Sequence, residues 1–112
     1  MVDVDERLLT WARAEGLTVI DTGRARVFRT AGQRTVAWRP AAGDRLELTL
    51  IQLRAHGRER DADRLHRLFG ELTGLTVAGH ELGLSLADAA ASWELLEGTF
   101  LPRYLAAHRE LD

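Results

Sequence analysis

The sequence predicts a small α+β protein in which a four-stranded antiparallel meander is covered on one face by helices, in the order α-β-β-β-β-α-(β)-α. Three observations carry that prediction. Helical apolar spacing governs residues 4–15 and again much of the chain after Gly57. Between Leu17 and Leu53 the pattern changes to short runs rich in Val, Ile, Thr and aromatics, separated by turn-forming residues. The length of 112 residues suits one domain with a modest core, and no repeat, linker or low-complexity stretch suggests a second.

Asp3 with Glu6 forms a capping-box pattern, and Val4, Leu8, Trp11 and Ala12 then recur at helical spacing up to Gly16. Trp11 lies in the middle of that stripe and reads as a core anchor. The strands that follow are separated by Asp21-Thr22-Gly23, Ala31-Gly32 and Pro40-Ala41-Ala42-Gly43-Asp44. A three-residue loop at Asp21-Thr22-Gly23 sets Val19 opposite Ala25 and Leu17 opposite Val27. A two-residue turn at Ala31-Gly32 sets Val27 opposite Val36 and Ala25 opposite Trp38. Both registers place Leu17, Val19, Ala25, Val27, Val36 and Trp38 on one face, the face expected under the helices. The other face is then expected to carry Arg24, Arg26, Phe28, Thr35, Ala37 and Arg39.

The fourth strand is expected from Arg45 to Leu53, with Leu46, Leu48 and Leu50 alternating and a break in the pattern at Ile51. Beyond His56-Gly57, Leu65, Leu68, Phe69 and Leu72 form a helical stripe, Asp63 and Arg67 an i, i+4 pair, and Gly74 a stop. Leu75-Thr76-Val77 reads either as a short fifth strand or as loop. Ser85 with Asp88 opens another helix whose apolar face runs through Leu86, Ala89, Ala90, Trp93, Leu96 and Phe100. Gly98 and Pro102 are expected to kink or split it before a last helix from Arg103 to Leu111. Such arrangements recur in unrelated small α+β proteins, secretion-chaperone-like and immunity-type ones among them, and no motif here selects one.

All 15 basic residues are Arg, with no Lys or Asn, a bias typical of a GC-rich genome that weakens any argument from the choice of Arg over Lys. The absence of cysteine excludes disulfides, thiolate nucleophiles and sulfur-ligated metal sites. No apolar run reaches the roughly 20 residues of a membrane span, and the acidic start is unlike a signal peptide, so the chain reads as cytoplasmic with no membrane partner. The net charge of -2 conceals a polarity. Residues 1–21 carry two Arg against five acids, residues 22–60 nine against three, and residues 61–112 four against nine. These segments are expected either to neutralise one another in the fold or to leave a basic surface for an acidic partner.

Of the chemical candidates, His56, His66 and His80 with Asp61, Asp63 and Glu81 match no ligand spacing, and no metal or cofactor is expected. Gly83-Leu84-Ser85-Leu86-Ala87 superficially resembles a nucleophile elbow, but Ser85 reads as a helix cap. Asp61/Asp63 and Glu94/Glu97 read as wet helix faces. Neither standard phosphate loop is present. What remains is Arg24, Arg26 and Arg39 around Phe28, with Arg29 opposite Arg34 at the hairpin tip. The expected function is therefore a non-enzymatic binding or adaptor module. It would engage a protein or its own second copy through this Arg/Phe face, or through the C-terminal helix around Phe100 and Tyr104. A nucleic-acid binder using the same face is the alternative, and a small His/carboxylate enzyme comes third.

Overall fold

A computed structural model describes residues 2–112 as an α+β fold built on one antiparallel sheet. The first helix, α1, spans Val4–Ala14 and is capped as expected, the Asp3 carboxylate accepting from the Glu6 backbone N–H at 3.2 Å. Four strands follow: β1 Thr18–Asp21, β2 Ala25–Arg29, β3 Thr35–Pro40 and β4 Arg45–Thr49. The short α2, Ile51–Ala55, replaces the expected end of the fourth strand, so the break at Ile51 marks a helix start. Then come α3, Glu59–Thr73, closed by left-handed Gly74, and β5, Glu81–Ser85. The sheet order is β1-β2-β3-β4-β5, so the sheet has five strands where four were expected. The fifth forms at Glu81–Ser85 because Leu82 and Leu84 alternate to meet Leu48 and Leu46; Leu75-Thr76-Val77 forms no strand.

The C-terminal run is α4 Leu86–Ala91, α5 Trp93–Leu95, a π-helical turn at Leu96–Phe100, and α6 Leu101–Arg109. Ser85 caps α4, its hydroxyl accepting from Asp88 N–H at 3.1 Å. The wide turn is the split expected at Gly98 and Pro102. Proline cannot donate to the carbonyl four residues back, and the Leu101 N–H reaches instead to Leu96 O, five residues back. No helix is long and apolar enough to cross a membrane among the described residues.

Both hairpin registers differ from expectation, and the first difference turns β2 and β3 over. The first turn is a two-residue Gly23-Arg24 loop closed by Thr22 N–H to Ala25 O at 3.0 Å, with Gly23 at φ 82°. Glycine at the first central position, where φ is positive, is what a type II′ hairpin turn requires. Val19 therefore meets Phe28 and Ile20 meets Val27, an odd shift of three that leaves Val19 on the helix side as expected and turns β2 over. The second loop has three residues, Ala31-Gly32-Gln33, with Gln33 left-handed at φ 66°. Val27 there meets Trp38 rather than Val36, and Val36 is the extra residue of a bulge between Phe28 and Arg29.

Under the helices lie Phe28, Ala37, Leu46, Leu48, Leu82 and Leu84, all buried, packed in one cluster with Leu8, Trp11, Phe69, Trp93 and Phe100. The helix stripes meet the core as their spacing requires, while the expected sheet face is reversed on β2 and β3, where Ala25, Val27 and Trp38 point outward and are only half-buried; Leu17 and Val36 are buried in the core as expected.

Where β3 and β4 part, Tyr104 takes over from the ladder. Ala37↔Leu48 is the last registered pair toward α2, and Val36 and Thr49 come next. The buried Tyr104 hydroxyl sits between them, accepting from Thr49 N–H at 3.0 Å and lying 2.5 Å from Val36 O as donor. One side chain from α6 so satisfies two backbone groups that the bulge would leave unpaired. Burial drives the Tyr104 phenol far above its ordinary pKa, so it remains a donor at all working pH values.

Candidate functional site

The outward face of the sheet carries one continuous row across all five strands: Ile20, Val27, Trp38, Glu47 and Gly83. Val27 and Trp38 are half-buried, as are Ala25 and Pro40 one row over. Alternation along each strand puts these side chains opposite the helical layer, so neighbours on the same face are all that cover them. The apolar part spans β1 to β3, with Trp38 near the middle of the sheet.

At the β4–β5 end the face turns polar without rising. The Arg45 guanidinium donates to Glu47 at 3.1 Å, and this pair lies flat over Gly83. A Cβ at Gly83 would come within 2.4 Å of the guanidinium and 2.5 Å of the Glu47 carboxylate. Glycine here lets an ion pair lie on the backbone beside the tryptophan.

The five arginines and the phenylalanine expected to form a binding face do not share a surface. Phe28 is wholly buried, its ring centroid 6.4 Å from that of Trp11. Arg26 and Arg39 are cross-strand neighbours on the helix-facing side, at the margin of the core. Arg39 is held by Asp5 of α1 at 3.0 Å and by the carbonyl of Gly43 at 2.9 Å, and Arg26 lies 3.9 Å from Asp21. Arg24 is exposed on the first turn. Arg29 pairs with Thr35, not with Arg34, and its Nε is buried without a hydrogen-bond partner.

Arg34 follows the second loop, its carbonyl accepting from Thr30 N–H at 2.9 Å, and ties that end of the hairpin to the C-terminal residues. It donates to Leu111 O at 2.7 Å and to Gln52 at 3.2 Å, and faces Asp112 at 3.3 Å. Asp112 in turn accepts from the Thr30 hydroxyl at 3.1 Å and Gly32 N–H at 3.3 Å. Arg54 pairs with Asp63 at 3.0 Å, so the expected Asp63–Arg67 pair gives way to one between helices. Much of the basic middle is thus neutralised by the acidic flanks, the first of the two outcomes the charge polarity allowed.

The histidines are dispersed. His56 is exposed beside Arg34, His66 faces Val77 O at 2.7 Å, and His80 lies 3.4 Å from Glu81. Among the described residues no three His, Asp or Glu side chains come together as a metal cage. The fourth, His108, is buried against the Tyr104 ring, its Nδ1 donating to Tyr104 O at 2.7 Å. Burial holds its pKa below the ordinary histidine value, with Arg34 adding to the effect. Phe100 and Tyr104, expected as a C-terminal contact surface, are interior.

The sequence hides the outward row because β2 and β3 are apolar on both faces, Val27 and Trp38 on one and Phe28 and Ala37 on the other. Alternation alone cannot choose between them. The usable signals were Gly23 as a II′ glycine and the Leu82/Leu84 alternation, which pairs with Leu46/Leu48 and fixes the core side. No known family model matches this chain, and neither does any curated protein or solved structure.

Proposed function

We propose that this protein is a non-enzymatic binding module that docks an apolar protein surface on its outward sheet face. The observation that carries the reading is the Ile20–Val27–Trp38 row, which no helix covers. Tryptophan is among the residues most enriched at interface centres, because one side chain brings a large area at small entropic cost. The flat Arg45–Glu47 pair supplies a polar rim with both charge signs, which favours a partner with polar groups around an apolar centre over a polyanion. The nucleic-acid reading has less support: its stacking ring, Phe28, is interior, and Arg39 is engaged with Asp5.

The test is affinity capture from an extract of the native host with immobilised wild type, Trp38→Glu and Val27→Glu, the fold of each verified by circular dichroism. A protein retained by wild type and lost by both variants is the expected result. Equal retention by all three overturns the reading, and a nuclease-sensitive ligand would favour the alternative class.

A further inference from the structure

The helical layer carries a second surface, independent of the sheet face. Helix α3 and the α5–α6 run lie antiparallel: Arg58, next to the head of α3, bonds Glu110 just past the end of α6, while Phe69 meets Phe100 edge-on at 5.4 Å. The seam between them opens into a groove of about 280 Å³ lined by Asp61, Arg64, Leu65, Leu68, Arg103 and Ala107. Each four-residue step back from Ala107 through Arg103 and Thr99 drifts by about 40° in an α-helix, and the wider turn at Leu96–Phe100 takes most of that drift back, which brings Leu95 to the same side. Leu95 is 49% exposed, more than any other large apolar side chain among the described residues. A hole and an apolar knob therefore lie along the same seam, the knob about 12 Å from the Arg103 edge of the hole at 1.5 Å rise per residue.

The charges repeat that polarity. Arg64 and Arg103 stand at the hole, and among the described residues neither pairs with a carboxylate, Asp61 being held by Arg58 at 2.5 Å. Glu94 stands beside the knob and Glu71 near the same end of α3, both exposed and outside the ion pairs of the described residues. The order along the seam is basic hole, then acidic knob. A two-fold rotation across the seam reverses that order, so a second copy presents a knob to each hole and an acid to each base. An unrelated ligand in the groove would have no need of the knob.

We propose that two copies of this chain associate through the α3/α6 seam about a two-fold axis near Leu68 and Thr99. Leu95 of each copy enters the groove of the other, and Glu94 meets Arg103 of the partner subunit. The two Trp38 faces remain free on the outside of the pair. A single helix-pair contact lies at the small end of stable interfaces, so the dissociation constant belongs roughly in the micromolar range.

Sedimentation equilibrium on the full chain between about 5 and 500 µM tests this, with thermal melts to verify each fold; the substituted side chains are all exposed or half-buried. Wild type should dimerise. Leu95→Arg, Glu94→Arg and Arg103→Glu should each weaken the dimer at least about tenfold, because each change acts twice per dimer. Combining Glu94→Arg with Arg103→Glu should restore affinity to within about threefold of wild type. Trp38→Glu should leave the dimer intact, which separates this proposal from the sheet-face reading. A 12.5 kDa species at every concentration overturns it. So does a double variant no tighter than the single ones, or a dimer dissolved by Trp38→Glu and untouched by Leu95→Arg.

Discussion

Substituting Phe28 and Trp38 separately by alanine measures which face of the sheet is the core. Phe28 is fully buried, meets Trp11 and lies in the cluster that joins sheet and helices. Truncating a buried Phe removes its transfer free energy and leaves a cavity, together about 3–5 kcal/mol. Trp38 is half-buried and packs on cross-strand neighbours Val27 and Glu47. At up to about 1 kcal/mol per cross-strand pair, its loss should cost about 1–2 kcal/mol. For a domain of this size, with total stability of roughly 6–15 kcal/mol, the first substitution removes a large share and the second does not. In urea, with a slope near 1.5 kcal/mol/M, the midpoint should fall by about 2–3 M for Phe28→Ala and by about 1 M or less for Trp38→Ala. Equal midpoints, or the reverse order, would refute the assignment of faces.

Three further outcomes follow from the buried polar groups and the cap. Tyr104→Phe should destabilise by about 2–3 kcal/mol in the same assay, because the ring is retained while Thr49 N–H and Val36 C=O lose their shared partner. A cost below about 0.5 kcal/mol would show that water replaces the hydroxyl. His108 is neutral when buried and its folded pKa lies below the unfolded value of about 6.5, so the unfolded chain binds the proton first. Its contribution is therefore complete above about pH 6.5 and declines as pH falls, by up to about 1.4 kcal/mol per unit until the folded pKa is reached. Stability curves between pH 7 and 5 should show this slope in wild type and lose it in His108→Gln. Ser85→Ala removes the α4 cap and should cost about 1 kcal/mol by urea unfolding, and no change would mean that solvent satisfies the Asp88 N–H equally well.

The helical half of the fold was legible because its signals are local. Asp3, Gly74 and Ser85 sit where caps and stops belong, and the stripes of Leu8/Trp11 and Leu65/Phe69 meet the core as their spacing requires. The sheet was legible as a meander but not in register. The turn at Gly23-Arg24 shifts the first ladder by three, an odd shift that exchanges faces, while the second ladder shifts by two and the bulge leaves Val36 buried. Because β2 and β3 carry apolar residues on both faces, no periodicity in them could expose the error. The Tyr104 bridge arises from a residue more than 50 positions from its partners on β3 and β4, and nothing local announces it. Charge polarity was read correctly as a property, while the pairings that neutralise it, Arg39–Asp5 and Arg34–Asp112, depend on the tertiary arrangement.

The proposed binding rests on an outward sheet face centred on Trp38, and acrylamide quenching of tryptophan fluorescence tests that face most directly. Trp11 and Trp93 are 6% and 3% exposed, so Trp38 alone should be open to the quencher. Wild type should show a readily quenched fraction of its emission, and Trp38→Phe should abolish that fraction while leaving the protected remainder unchanged. Undiminished quenching in Trp38→Phe, or a wild type whose tryptophans are all protected in dilute solution, would contradict the open face.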